Sequence, residues 1–234
     1  HAYILSFYNC DFFNAGTGLY SPSGTAFGDT DYGENITFNH CAIYSSDLGY
    51  EFNNDAGSIM FRDCSIDYNA KMGKSDGSAF ILIDGGHIEH RHQGLTQAMF
   101  DIKGYSHLTL KNLLFYIIND GYTGTDVPYL FDHSTANGSS ELILDNVWLR
   151  NIRTTTNRIC NGRIKMRNTI LQFTNYIQSS DSENLARNGG SYESDSTINT
   201  VFNVYIDGDA GTWTTKYNTS NVDLSIDTST GAAG

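Results

Sequence analysis

The apolar positions of this chain fall into one eight-residue pattern that recurs seven times: apolar, any, apolar, any, a turn-forming residue, a mostly small residue, any, apolar. The copies are LSFYNCDF from Leu5, ITFNHCAI from Ile36, IMFRDCSI from Ile59, ILIDGGHI from Ile81, LTLKNLLF from Leu108, LILDNVWL from Leu142 and IKMRNTIL from Ile164. Their starts are 31, 23, 22, 27, 34 and 22 residues apart, a base period near 22 with insertions. Strand side chains alternate between faces. One face therefore carries three apolar columns: Leu5, Ile36, Ile59, Ile81, Leu108, Leu142 and Ile164; then Phe7, Phe38, Phe61, Ile83, Leu110, Leu144 and Met166; then Phe12, Ile43, Ile66, Ile88, Phe115, Leu149 and Leu171. A sandwich gives turn signals every ~8–12 residues without such phasing. One structural unit per period, stacked on its neighbours, accounts for the pattern.

The turn column is Asn9, His40, Asp63, Gly85, Asn112, Asn146 and Asn168. Most of these types tolerate a left-handed backbone, so a bend between two sheets is expected there. The next column, Cys10, Cys41, Cys64, Gly86, Leu113, Val147 and Thr169, points inward. Its three cysteines read as small buried hydrophobes rather than a disulfide framework, since a bridge between adjacent strands strains the required dihedral. Cys160 lies elsewhere and is also expected to be buried. The outward column before the turn supplies an independent check. It reads Tyr8, Asn39, Arg62, Asp84, Lys111, Asp145, Arg167, and its last five members alternate in sign. Only the proposed register sets each charge between two opposites.

Short apolar pieces between the copies suit a further strand per repeat: 18–20, 49–52, 98–102, 129–131 and 158–160. Insertions rich in Gly, Asp, Thr and Ser fall at 21–33, 119–128, 134–140 and 153–157. The pattern stops near Phe173. The expected organisation is a repeat domain over 1–173, a polar linker over 174–196, a hairpin-like cap or oligomerisation element over 197–227, and a disordered tail over 228–234.

Composition narrows the function. The formal net charge of −12, from 14 basic and 26 acidic residues, argues against a nucleic-acid partner, which needs a basic footprint. No stretch approaches the ~18 apolar residues of a membrane span. No signal peptide is evident, and the chain reads as a fragment or processed form of something longer. Gly-rich phosphate loops and nucleophile elbows are absent. The Asp207-Gly-Asp209 turn lacks further calcium ligands. Sequons at Asn35, Asn137 and Asn218 carry little weight without a secretory signal.

The apolar columns, the Asn-type turn column and the ~22-residue period resemble the pectate-lyase-like right-handed parallel β-helix family. The polar composition, the missing disulfide framework and a β-rich tail are similar to bacteriophage tailspikes within it. The resemblance covers about residues 2–173. It implies an all-β fold, a right-handed single-stranded parallel β-helix of about seven coils. It also implies a homotrimer on a phage tail, extracellular, that binds a bacterial surface polysaccharide and in many members degrades it. No calcium or catalytic arginine motif of the pectate lyases is present to be carried over, which leaves the chemistry open. A non-catalytic receptor-binding or structural virion protein is the alternative, and a secreted bacterial polysaccharide lyase or adhesin the second.

Past the turn, two columns face outward: Asp11, Ala42, Ser65, His87, Leu114, Trp148, Ile170; and Phe13, Tyr44, Asp67, Glu89, Tyr116, Arg150, Gln172. Asp67 and Glu89 fall on neighbouring strands, with His87 alongside. Two carboxylates that close repel, so one is expected to hold its proton near neutral pH. One acid and one carboxylate is the pair that glycoside hydrolysis uses. Phe13, Tyr44, Tyr116, Trp148 and Arg150 flank the pair as a candidate sugar-binding strip. His87, His90 or His92 is a candidate base, and Arg91 a candidate partner for an acidic sugar. The plain reading is a solvated acidic face with aromatics packed under a loop or a subunit. The segment HIEHRH (87–92) puts His87 and Glu89 on one face as two possible ligands, with no third in view. Neither a metal nor a cofactor is expected.

Overall fold

The computed structural model describes residues 4–22, 35–53, 57–91, 97–118, 127–137, 139–152, 159–162 and 164–173, with four short strands beyond them. Every regular element among these residues is a strand; there is no α-helix, and so none long and apolar enough to cross a membrane. Residues 206–227 of the expected hairpin-like element over 197–227, the tail over 228–234 and most of the loop insertions lie outside the described residues.

The strands form two main parallel sheets, and the chain passes from the larger to the smaller in each of the first six repeats. The larger takes the eight-residue copies in sequence order. Ile4–Tyr8 pairs with Asn35–Asn39, that with Ser58–Asp67, and then follow Phe80–Arg91, His107–Ile118, Leu142–Ile152 and Ile164–Arg167. The smaller takes the intervening strands in the same order: Thr17–Ser21, Leu48–Phe52, Lys71–Ser75, Phe100–Ile102, Phe131–Asp132 and Cys160–Asn161. The register is the one the columns require, with Leu5 opposite Ile36, Ile36 opposite Ile59, Ile59 opposite Ile81 and Ile81 opposite Leu108. The parallel pairing continues past the end of the apolar pattern. Tyr192–Ser194 lies on Ile164–Arg167, and Thr197–Ile198 on Ile170–Phe173.

The core lies between the two sheets. Phe61, Ile59, Ile66, Ile83, Ile88 and Phe115 from the larger sheet are fully buried, as are Met72, Phe100 and Phe131 from the smaller. Rings in one column stack strand over strand: Phe7 on Phe38 and Phe38 on Phe61, both at 4.9 Å between centroids. Phe38→Ala or Phe61→Ala would each remove a large part of one such stack. Cys41, Cys64 and Cys160 are buried and Cys10 partly so. The Cys41 and Cys64 thiols donate to backbone carbonyls, Asn39 O at 3.4 Å and Arg62 O at 3.3 Å.

All seven residues of the turn column have positive φ, from 47° at Asn168 to 77° at Gly85. Within the column Asn146 Nδ2 donates to Asn112 Oδ1 at 2.9 Å, and Asn112 Nδ2 donates to Asp84 Oδ1 of the charged column at 2.8 Å. A second left-handed position follows a few residues later in the first three repeats, at Asn14, Ser45 and Tyr68, with φ of 53°, 56° and 54°. It turns the chain toward the smaller sheet. The next repeats lack it and run on as long strands. Asp67 ends the last strand that turns there, and Glu89 lies in the first that does not.

The strand Lys71–Ser75 has no counterpart among the apolar pieces of the sequence. Its middle residue, Gly73, pairs with Tyr50 and Phe100, and the Tyr50 ring fills the space beside it. A Cβ on Gly73 would lie 2.2 Å from Tyr50 Cζ. The neighbouring strand thus supplies the core atoms that this strand lacks.

Candidate functional site

The second outward column past the turn is assembled in register. Phe13 lies opposite Tyr44, Tyr44 opposite Asp67, Asp67 opposite Glu89, Glu89 opposite Tyr116, Tyr116 opposite Arg150 and Arg150 opposite Gln172. The neighbouring column sets Ser65 opposite His87, His87 opposite Leu114 and Leu114 opposite Trp148. Phe13, Tyr44, Asp67, His87, Glu89, Tyr116, Trp148 and Arg150 therefore share one face of one sheet.

At its centre, His87 Nε2 lies 3.2 Å from Asp67 Oδ2. The Ser65 hydroxyl donates to the same carboxylate oxygen and lies 3.4 Å from the same ring nitrogen. The other oxygen, Asp67 Oδ1, accepts the Glu89 backbone N–H at 3.0 Å. Glu89 in turn accepts from the Tyr68 hydroxyl at 2.7 Å, through Oε2. One donor atom from each of Asp67, His87 and Glu89 can be chosen so that all three lie within 4.8 Å of one another. Asp67 thus supplies, from the preceding repeat, the third donor that HIEHRH lacks in sequence.

Burial separates the two acids: Asp67 is buried and Glu89 only half-buried. Beside them, the His87 side chain is 44% exposed. Burial pushes the Asp67 carboxyl above the ordinary range of an aspartate. The Ser65 hydrogen bond, the His87 charge and the Glu89 N–H pull the other way, and the Glu89 charge adds a small push upward. Among the described side chains, no Lys or Arg bridges either carboxylate. Other acids of the molecule do have such partners: Asp101 has Lys71 at 2.7 Å, Glu51 has Lys74 at 2.6 Å and Glu141 has Lys165 at 2.6 Å.

Ser65, His87 and Asp67 do not form a nucleophilic relay. A relay needs the hydroxyl and the carboxylate on opposite ring nitrogens; here both sit beside Nε2.

The aromatics form two groups. Phe13 stacks on Tyr44 at 5.3 Å with planes 9° apart, and Phe13 is 52% exposed. On the other side, the Arg150 guanidinium lies 5.2 Å from the Tyr116 ring and 5.5 Å from the Trp148 ring. The acids and His87 fall between these groups. His90, one of the three candidate bases, is instead buried, its Nε2 3.3 Å from the Ala70 carbonyl, and is not presented on the outward face. The side chain of Arg91, and His92, lie outside the described residues.

Sequence reasoning assigned no role to Ser65 or Tyr68. Ser65 could have been found, since it shares a column with His87. Tyr68 could not, because it follows the last alternating position and takes a left-handed conformation that bulky residues rarely adopt.

Comparison with protein-family models, with curated proteins and with solved structures gave no match for this chain.

Proposed function

We propose that this chain folds as a right-handed single-stranded parallel β-helix and recognises a bacterial surface polysaccharide in the manner of a phage tailspike. The strict alternation of the chain between two parallel sheets supports the helix. Its right hand follows from the near-universal handedness of parallel crossovers. The observation that carries the glycan reading is the outward face: two aromatic groups, both partly exposed, flank a compact polar centre. Aromatic faces pack against the C–H faces of sugar rings, while polar groups between them bind hydroxyls. A run of several strands about 4.8 Å apart spans several sugar units. Homotrimer assembly on a virion belongs to this reading.

Cleavage is a second reading with its own support. The Asp67 carboxyl is raised by burial, and Glu89 stands beside it on the adjacent strand. The donor atoms lie within 4.8 Å, nearer the ~5–5.5 Å of retaining than the ~6.5–9.5 Å of inverting glycosidases. Asp67 would act as the acid and Glu89 as the nucleophile.

A panel of capsular and O-antigen polysaccharides tests both, with binding read by glycan array and products by mass spectrometry. Binding without products supports recognition alone. Defined oligosaccharides that vanish with Glu89→Gln support cleavage. A folded protein that binds none of the panel counts against both.

A further inference from the structure

The polar centre has the composition of a metal site, and one of its donor pairs has the spacing. Two donors at 2.0–2.1 Å from a tetrahedral ion stand about 3.3 Å apart. His87 Nε2 and Asp67 Oδ2 stand 3.2 Å apart, and a Glu89 oxygen completes a set within 4.8 Å. Each carboxylate has one oxygen held by a group that is not a ligand atom, Asp67 Oδ1 by the Glu89 backbone N–H and Glu89 Oε2 by the Tyr68 hydroxyl. Outer hydrogen bonds of this kind orient the ligands of a metal centre. Ser65 adds a further donor to Asp67 Oδ2.

We propose that Asp67, His87 and Glu89 bind one divalent cation of the zinc class. Two carboxylates and a neutral imidazole balance a doubly charged ion, which takes the place of the Lys found beside other acids of this protein. The imidazole selects a borderline cation over calcium or magnesium, which prefer oxygen donors alone. Three protein donors leave at least one position open, on the solvent side where His87 is exposed. On the glycan reading above, that position takes a hydroxyl or carboxylate oxygen of the sugar. This role rests on that reading, whereas the cation site does not.

The test uses the full chain, stripped with EDTA and titrated with zinc chloride by calorimetry, with bound metal counted by mass spectrometry. The expected result is one ion per chain and a higher melting temperature with zinc. His87→Ala and Glu89→Gln are both expected to weaken binding at least tenfold while the metal-free chain stays folded, read by an unchanged circular-dichroism spectrum. Absence of stoichiometric zinc in the wild type overturns the site, as does unaltered affinity in both variants. Glycan binding is then measured with zinc and with EDTA. Equal binding in both overturns the cation's role in recognition and leaves the glycan reading standing. Zinc binding with no glycan binding does the reverse.

Discussion

Two outward columns run down the same sheet, one on each side of the left-handed turn. Before the turn, Arg62, Asp84, Lys111, Asp145 and Arg167 stand opposite one another in alternating sign. Past it, Asp67 and Glu89 stand opposite each other as like charges, between aromatics. Strand spacing and register are the same. The first column satisfies the rule for cross-strand pairs and the second breaks it. The first achieves its balance without relying on contact between every pair. Arg62 Nε turns to Met60 Sδ, and Asp84 takes its hydrogen bond from Asn112. A sheet that can arrange charge well on one side of a bend, and does not on the other, has an unfavourable patch with some other use.

The largest effect is expected where the two columns join. Gly86 sits at the bend with φ of +76°, and a Cβ there would lie 1.9 Å from the Cys64 carbonyl oxygen. Gly86→Ala should therefore cost about 3–4 kcal/mol, read as a lowered denaturation midpoint. Next, Asp84→Lys places three cations in a row at 62, 84 and 111. A loss of about 1–2 kcal/mol is expected, shrinking in about 1 M salt. Salt-independent destabilisation would mean that the alternating column owes its value to packing.

Trp148→Ala, on the other side, should leave the melting temperature nearly unchanged. It should weaken glycan binding about tenfold, or ~1.4 kcal/mol. The smallest effect has the opposite sign. Asp67→Asn, measured in EDTA, should raise stability at pH 7 by up to about 1 kcal/mol, since it removes a carboxylate whose charge is disfavoured first by burial and then by Glu89. The sign follows from the raised native pKa. As pH rises, the unfolded chain ionises Asp67 first, so the native state loses stability through the interval up to the raised native value. The advantage of Asn should thus fade on acidification. A variant less stable than wild type at pH 7 would place Asp67 with the structural charges.

The long strands of the larger sheet were legible because both halves of their pattern are written in residue types. Apolar side chains mark the inward positions, and Asn, Asp or Gly the turn, so the columns and register could be read directly. Lys71–Ser75 was not legible. Met72 is its one large apolar residue, and the Tyr50 ring fills the place beside Gly73. Its two lysines serve acids on either side, Glu51 and Asp101, rather than marking a loop. The second turn was missed because only Asn14 of its three positions is a type that favours a left-handed backbone; position in the fold imposes the φ of Ser45 and Tyr68. For the site, alternation placed Asp67, His87 and Glu89 on one face. It could not show that Asp67 is buried while His87 is exposed, since that depends on how the chain leaves the strand after residue 67.

The neighbour-only pairing of the strands also has a mechanical consequence. Each copy in the larger sheet is held laterally by the copy before it and the copy after it. Under tension applied at its two ends, the molecule should yield by peeling, one strand pair after another, rather than in one global rupture. Each event frees the 22 to 34 residues between successive copies, an extension of about 75–120 Å at ~3.3–3.6 Å per residue. The force trace should be a sawtooth whose spacing follows the insertions, so that the longest step reports the interval from Leu108 to Leu142.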